Sequence, residues 1–296
     1  MFIRRLPRFE YHAPSSVAEA LDLATRFGDN GRFIAGGTDL LVEMKKREAT
    51  PEHLISLNGV AELKGITSGD VDGLRIGALV TLAEIERSGV VRELYRPLWD
   101  AVNVMASAQI RTLATIGGNL CSALPSADTA PPLIALGASL RLVGPQGERW
   151  VPVEGFFLAP KQSVRKADEL LAEIRIPRPE PNSAGCYIKL MRRHAMDLAL
   201  VGVAVCLRLD ADRTVCRQAR IALGSVAPTP IRVPDAEAVL ANRAIEEAPV
   251  MQAALIACGH CRSRRESIRA SQEYRRSMIE VLTKRAILEA YRRIVG

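Results

Sequence analysis

The segment that decides the fold of this chain reads Phe33-Ile34-Ala35-Gly36-Gly37-Thr38-Asp39-Leu40. An apolar start is followed by two glycines and two polar residues, and a second apolar run begins at Leu40. Because glycine has no Cβ, it allows the positive φ angles and close backbone approaches of tight turns. The order therefore predicts a strand over 32–35, a glycine turn and then a short helix.

The flanking sequence extends this element into a small lobe. Ser16 stands three residues before Glu19, which is the spacing of a helix N-cap, and the apolar residues that follow recur at helical intervals. A further apolar run at 53–57 predicts another strand. We therefore expect an α/β lobe over about 1–60.

A second glycine segment follows later in the chain and reads Thr115-Ile116-Gly117-Gly118-Asn119. We interpret it as a second glycine turn. The surrounding pattern predicts strands at 75–79, 139–143 and 170–176, with helices between them. These elements predict a second α/β lobe over about 61–177.

A proline-rich stretch marks a domain boundary. Three prolines fall within the five residues 177–181, where neither a strand nor a helix can continue. We place the boundary there, between a two-lobed domain over 1–177 and a second domain over 182–296. Apolar runs after the boundary predict an antiparallel sheet, and a helix over 271–295 is expected to cover it. The predicted fold class is α+β.

The composition excludes several classes of protein. The 296 residues are 48% hydrophobic and 25% charged, which is typical of globular proteins and not of disordered ones. Apolar stretches such as 199–207 are much shorter than the roughly 20 residues that span a bilayer. We also recognise no signal peptide in 1–10. The expectation is a cytoplasmic protein without a membrane span.

The C-terminal part of the chain is basic, but we interpret this charge as a helix surface and not as a nucleic-acid site. The formal net charge is +7, and residues 262–296 alone contain ten basic and four acidic side chains. On one face of a helix, such charges are typical of a solvated or partner-facing surface.

The six cysteines are scattered along the chain, so reduced thiols are expected. Cys258 and Cys261 have the CxxC spacing of thiol–disulfide oxidoreductases, but they follow a helical run, whereas the redox motif opens a helix. We therefore expect this pair to be inert.

The two glycine segments are candidates for a nucleotide site, because glycine lets backbone N–H groups approach phosphate oxygens. Neither segment is a GxGxxG or GxxxxGK[ST] motif. Together with residues 109–111 and the sequence Gly224-Ser225-Val226-Ala227-Pro228-Thr229, they resemble the FAD-binding subunit of the molybdenum hydroxylases. That family includes xanthine dehydrogenases, carbon monoxide dehydrogenases and 4-hydroxybenzoyl-CoA reductases. The resemblance extends from about Arg5 to Arg293, with the motifs in the family's order.

The resemblance implies a two-lobed FAD-binding domain like that of vanillyl-alcohol oxidases, with FAD held without a covalent bond. Both glycine segments, 33–40 and 115–119, are expected to grip its pyrophosphate and neighbouring groups. Asp128 matches an acidic position that contacts the cofactor, Leu171 an apolar position beside it, and Lys189 a basic position near the flavin. The structural alternatives are that Asp128 caps a helix, Leu171 is strand core and Lys189 is solvated.

The resemblance also implies that no residue of this chain is a catalytic acid, base or metal ligand. A large partner subunit would carry the molybdenum cofactor and a small one the [2Fe–2S] clusters, as a dimer of heterotrimers. This chain would pass electrons between the clusters and an external acceptor. Cys121 stands where 4-hydroxybenzoyl-CoA reductases begin a cluster-bearing insertion, but no further cysteine follows before Cys186, so we expect no iron–sulfur cluster.

Two alternatives belong to other functional classes. A self-contained vanillyl-alcohol-type oxidase also binds FAD in two lobes, but it needs its own substrate cap, for which the residues after the linker are too few. A non-catalytic binding protein could keep the fold without the flavin. Loss of a glycine segment would favour that alternative, and both segments are intact.

Overall fold

The computed structural model describes residues 5–193, 196–263 and 267–296. Its first sheet is parallel, in the order β1-β3-β2. The strands are β1 (Glu10–His12), β2 (Gly31–Ile34) and β3 (His53–Ser56), and the helices beside them are α1 (Val17–Phe27) and α2 (Leu40–Lys46). As predicted, Ser16 caps α1 by accepting a hydrogen bond from the Glu19 N–H at 3.2 Å.

The second sheet is antiparallel, in the order β4-β5-β10-β6-β7. Its strands are β4 (Ile66–Gly69), β5 (Gly73–Gly77), β6 (Ser139–Gly144), β7 (Gly147–Pro152) and β10 (Leu170–Ile176). Two short strands, β8 (Phe157–Ala159) and β9 (Gln162–Ser163), pair separately. The strand predicted at 170–176 has the predicted bounds, whereas β7 was not predicted because it is largely exposed and has no apolar alternation.

Short helices lie along the chain between β5 and β6. They are α3 (Leu82–Arg87), α4 (Gly89–Leu94), α5 (Arg96–Asn103), α6 (Ala108–Arg111), α7 (Ile116–Cys121) and α8 (Ala130–Ala135). Their apolar side chains form one buried cluster with the second sheet. Residues 177–182 contain neither helix nor strand.

The third sheet is antiparallel, as predicted for the C-terminal region, with the order β11-β12-β13-β14 and with β15 paired to β13. Its strands are β11 (Ser183–Leu190), β12 (Val201–Leu209), β13 (Val215–Gly224), β14 (Ile231–Arg232) and β15 (Arg243–Ala244). The helices that follow are α9 (Pro234–Leu240), α10 (Glu247–Gly259) and α11 (Gln272–Val295).

The third sheet has helices on both faces. Val203, Val205 and Leu207 pack into a buried cluster with α10 and α11. Side chains of the opposite face, among them Tyr187 and Ala204, belong to the cluster of the second sheet, where α5 and α8 pack on β11–β13. The helix-covered sheet is thus confirmed, and the N-terminal half of the chain supplies its second cover.

α11, at 24 residues, is long enough to span a bilayer but carries charged side chains along its length. None of the helices in the described ranges combines the necessary length and apolarity.

Candidate flavin site

The first glycine segment (residues 33–40) has the predicted order of strand, turn and helix. β2 ends at Ile34, and α2 begins at Leu40. Gly37 between them has a φ of 68°, a conformation that favours glycine. The Leu41 N–H donates to the Gly37 carbonyl at 3.0 Å, so α2 starts directly from the turn.

The other glycine of this segment allows contact with a distant part of the chain. A Cβ on Gly36 would lie 1.9 Å from the Leu113 carbonyl oxygen and 3.1 Å from the Ala114 nitrogen. No side chain fits there, so the backbone of the first segment rests directly on residues 113–114. These residues immediately precede Thr115, and the two glycine segments are therefore neighbours in the fold.

The second glycine segment (residues 115–119) is not a turn, and our interpretation of it was wrong. Thr115 forms an isolated antiparallel bridge with Thr81 and is the N-cap of α7. Its hydroxyl accepts a hydrogen bond from the Gly118 N–H at 3.1 Å. Ile116 and Leu120, one helical turn apart, are fully buried. The cap and this apolar pair favour a helix over a turn.

Gly117 and Gly118 have different surroundings. Gly117 is buried, and a Cβ there would lie 2.6 Å from the Ala78 carbonyl oxygen, so this glycine permits α7 to pack on the chain after β5. Gly118 is exposed, and its Cβ would meet only the Thr115 hydroxyl oxygen, at 3.0 Å. Of the two, only Gly118 leaves an exposed side open to a ligand, although its own N–H is donated to the Thr115 hydroxyl.

A buried polar cluster connects the second segment to the third sheet. The Thr129 hydroxyl donates to Asn119 Oδ1 at 2.7 Å. Next to Thr129, Asp128 Oδ2 accepts from Lys189 Nζ at 2.8 Å, and its Oδ1 accepts from the Tyr187 hydroxyl at 2.9 Å. The Lys189 and Asp128 side chains are 1% and 4% exposed. The ion pair is thus fully desolvated between the N-terminal half and β11.

The structural alternatives for Asp128 and Lys189 are contradicted. The residue that caps α8 is Thr129, without a side-chain hydrogen bond, so Asp128 is not the cap. Lys189 is not solvated, because its amino group is enclosed. Leu171, in contrast, is buried in β10 and belongs to the core cluster, as its strand-core alternative states.

Burial raises the pKa of Asp128, and the adjacent Lys189 and Tyr187 oppose the rise. Burial, reinforced by the Asp128 charge, raises the pKa of Tyr187 well above its usual value, so the phenol stays protonated and donates to the carboxylate. In the first segment, desolvation and then Glu43 raise the pKa of Asp39, whereas Lys161 lowers it.

Sequence reasoning missed Tyr187. It lies two residues before Lys189 on β11, so both side chains are on the same face and reach the same carboxylate. This alternation was the signal that could have identified it. Lys189 Nζ also lies 3.5 Å from the Val104 carbonyl oxygen.

Two further motif regions have structural contacts. Arg111 forms two hydrogen bonds with the Glu86 carboxylate, both 2.9 Å, and one with the Met105 carbonyl oxygen at 2.8 Å. The Ser225 N–H donates to the Pro125 carbonyl oxygen at 2.9 Å. Both contacts hold the chain segments on either side of α7 in place.

Cys121 and Cys258 show no sign of activation. All six are free thiols. Burial raises the pKa of Cys121, and the nearby Arg165 opposes this rise. Burial also raises the pKa of Cys258, which lies in the last turn of α10. Reactive thiols require the opposite shift.

The residues present fit FAD. The first glycine segment contacts the backbone just before the second, Gly118 is exposed, and a cation–carboxylate pair lies in the polar cluster joined to the second segment. Such a set can accommodate an anionic diphosphate close to the glycine backbone and place charge near a ring system. A surface pocket of about 220 Å³ lined by residues 144–149 together with Lys166, Asp168 and Glu169 contains none of the predicted residues.

Comparisons with known proteins agree along the whole chain. The profile described as "FAD binding domain in molybdopterin dehydrogenase" matches residues 7–179. The profile described as "CO dehydrogenase flavoprotein C-terminal domain" matches residues 186–290. The C-terminal region is therefore similar to a flavoprotein domain, which does not support a self-contained oxidase.

Relatives with different substrates in their names match almost end to end. The carbon monoxide dehydrogenase medium chain of Hydrogenophaga pseudoflava is 36% identical over 97% of this chain and 98% of its own length. The xanthine dehydrogenase FAD-binding subunit of Escherichia coli O157:H7 is 33% identical over 95% of each chain. The solved structure of Hydrogenophaga pseudoflava carbon monoxide dehydrogenase lacking the Mo-pyranopterin moiety superimposes with a TM-score of 0.93, covering 99% of this chain and 100% of that one.

Proposed function

Because this chain belongs to the family of FAD-binding domains of molybdopterin dehydrogenases, we propose that it is the FAD-carrying medium subunit of a molybdenum-dependent dehydrogenase. The observation that carries the proposal is the direct contact of Gly36 in the first glycine segment with Leu113, two residues before the second segment. When bound, FAD supplies the redox chemistry. The chain's own contribution is to bind, orient and surround it.

Each part of the site has a distinct role in this proposal. The first glycine segment, from Phe33 to Leu40, and the second, from Thr115 to Asn119, hold the pyrophosphate and adjacent groups without a covalent bond. Asp128 and Lys189 lie close to the flavin, where their charges influence its potential. Leu171 supplies apolar packing from β10. The boundary between the FAD-binding domain and the C-terminal domain lies at 177–181.

The partners are a large subunit with the molybdenum cofactor and a small subunit with [2Fe–2S] clusters, assembled as a dimer of heterotrimers. Electrons pass between those clusters and an external acceptor through this chain. The relatives are named for carbon monoxide and xanthine and yet align almost end to end with this chain, which fits a subunit that does not select the substrate. The free thiols fit a reducing, cytoplasmic location.

Purification of the tagged chain from its native host tests this proposal. We expect a large molybdenum-containing subunit and a small iron–sulfur subunit to co-purify, with FAD on this chain. The isolated chain should hold no iron and should oxidise no organic substrate. A monomer that turns over a substrate by itself would contradict the proposal and support the self-contained oxidase.

A further inference from the structure

The first sheet brings three metal-ligating side chains together at its β1 edge. Glu10 and His12 are two residues apart on β1, so their side chains lie on the same face. His53 begins β3 and is the register partner of Glu10. The parallel pairing of β1 with β3 thus places one carboxylate beside two imidazoles.

The separations of the three ligand atoms fit a small divalent cation. His12 Nε2 lies 3.2 Å from His53 Nδ1, and Glu10 Oε2 lies 3.3 Å from His53 Nδ1 and 3.8 Å from His12 Nε2. A circle through three points with these separations has a radius of about 2.0 Å, which matches zinc–nitrogen and zinc–carboxylate bond lengths. One cation near the centre of the triangle contacts all three atoms.

Packing orients the two imidazoles in advance. Phe27, at the end of α1, stacks on the His53 ring with centroids 3.8 Å apart and planes at 10°. Its centroid also lies 4.7 Å from that of His12. The His12 and His53 side chains are 24% and 19% exposed, whereas that of Glu10 is 73% exposed. The nitrogen ligands are therefore held in place, and the carboxylate side leaves a path for the ion.

We propose that Glu10, His12 and His53 bind one divalent transition-metal ion of the zinc class, with a remaining position for water. Two imidazoles and one carboxylate are a donor set of zinc sites that keep an open position. The site is separate from the proposed flavin site. Gly31 is the partner of His53 at one end of β2, whereas the first glycine segment turns away after Ile34, at the other end of that strand. The bound ion ties the edge strand β1 to β3.

Metal titration of the full chain, freed of any affinity tag and pre-treated with a chelator, tests the proposal. Co²⁺ is the probe, because its visible absorption reports the ligand field, and Zn²⁺ is the competitor. We expect one equivalent of Co²⁺ to bind and Zn²⁺ to displace it. Glu10→Gln, His12→Asn and His53→Asn should each weaken binding about tenfold or more, since even outer-shell changes have effects of that size.

The matched control is His260→Asn. His260 also pairs with a carboxylate, since its Nε2 lies 2.8 Å from Asp235 Oδ2, but it has no second imidazole beside it among the described residues. This variant should bind Co²⁺ like the parent chain. Glu10 is largely exposed, so Glu10→Gln keeps the test valid if a histidine variant does not fold. The absence of stoichiometric binding, or binding unchanged in Glu10→Gln and His12→Asn, would overturn the proposal, whatever the flavin content.

Discussion

The first glycine segment (33–40) contacts the chain directly before the second (115–119), yet different interactions hold each one in place. The first is shaped by its backbone, through the positive φ of Gly37 and the contact of Gly36 with Leu113. The second is shaped by side chains, because Thr115 caps α7 and Asn119 accepts from Thr129. A Gly-Gly sequence thus permits a turn in one segment and tight helix packing in the other.

Because of this difference, some substitutions in the two segments should lower both the free energy of unfolding and flavin binding, whereas others should affect mainly one of the two. The largest effect is expected beside the second segment, at the buried pair. Lys189→Met leaves the Asp128 carboxylate buried without its cation and should lower the free energy of unfolding by about 4 kcal/mol. Urea denaturation measures this loss. Asp128→Asn combined with Lys189→Met removes both charges and should recover part of it, and an equal loss in both variants would contradict the ion-pair account.

Gly36→Ala tests the backbone contact of the first segment. The new Cβ would lie 1.9 Å from the Leu113 carbonyl oxygen, so the two segments must move apart. We expect a loss of about 3 kcal/mol in the free energy of unfolding, at the upper end for overpacking, together with loss of flavin. The control is Gly89→Ala, whose Cβ meets nothing within 4 Å. If both variants keep the parent's stability and 450 nm absorbance, the contact between the segments is not as described.

Gly117→Ala tests whether the first glycine of α7 serves packing. Its Cβ would lie 2.6 Å from the Ala78 carbonyl oxygen and 2.7 Å from the Ala78 Cβ. We expect the free energy of unfolding to fall by about 2 kcal/mol, because backbone atoms must move to make room for the Cβ. Thermal unfolding and a urea titration measure this loss. A stable Gly117→Ala chain would show that α7 does not pack on Ala78.

Thr115→Ala removes the cap of α7. Loss of a threonine N-cap lowers stability by about 1 kcal/mol, and the same urea titration detects it. Thr115→Ser keeps the hydroxyl and should remain within about 0.5 kcal/mol of the parent chain. Equal losses in the two variants would mean that the hydroxyl does not cap the helix.

Gly118→Ala has the smallest expected effect on stability, because this glycine is exposed and its Cβ would meet only the Thr115 hydroxyl oxygen. The free energy of unfolding should change by less than about 1 kcal/mol, while the affinity for FAD falls. Fluorescence titration of the flavin-depleted chain measures that affinity. Unchanged affinity in a folded Gly118→Ala chain would remove Gly118 from the site.

The local parts of the site could be predicted, and the tertiary parts could not. The turn at Gly37 follows from the order of apolar residues, glycines and polar residues. The helix at 116–121 was missed because the glycines were weighed more heavily than the spacing of Ile116 and Leu120 and the cap at Thr115. The approach of Gly36 to Leu113 joins residues far apart in the chain, and no local pattern specifies it.

The contact between Asp128 and Lys189 could not be predicted from a local sequence pattern either. Asp128 and Lys189 are 61 residues apart, and the resemblance to the family, not the spacing, singled them out. Their contact depends on the packing of α8 against the third sheet. Strand positions were predicted well where an apolar core side defines the period, as in β10, and missed where the strand is exposed, as in β7.

The most direct test of the account is the ratio of FAD to polypeptide in the purified chain, before and after acid precipitation. We predict one FAD per chain, which is released completely into the supernatant when the polypeptide precipitates. A folded chain that copurifies with the proposed molybdenum and iron–sulfur subunits but contains no flavin would contradict the account. Flavin that stays with the precipitated polypeptide would contradict the noncovalent site.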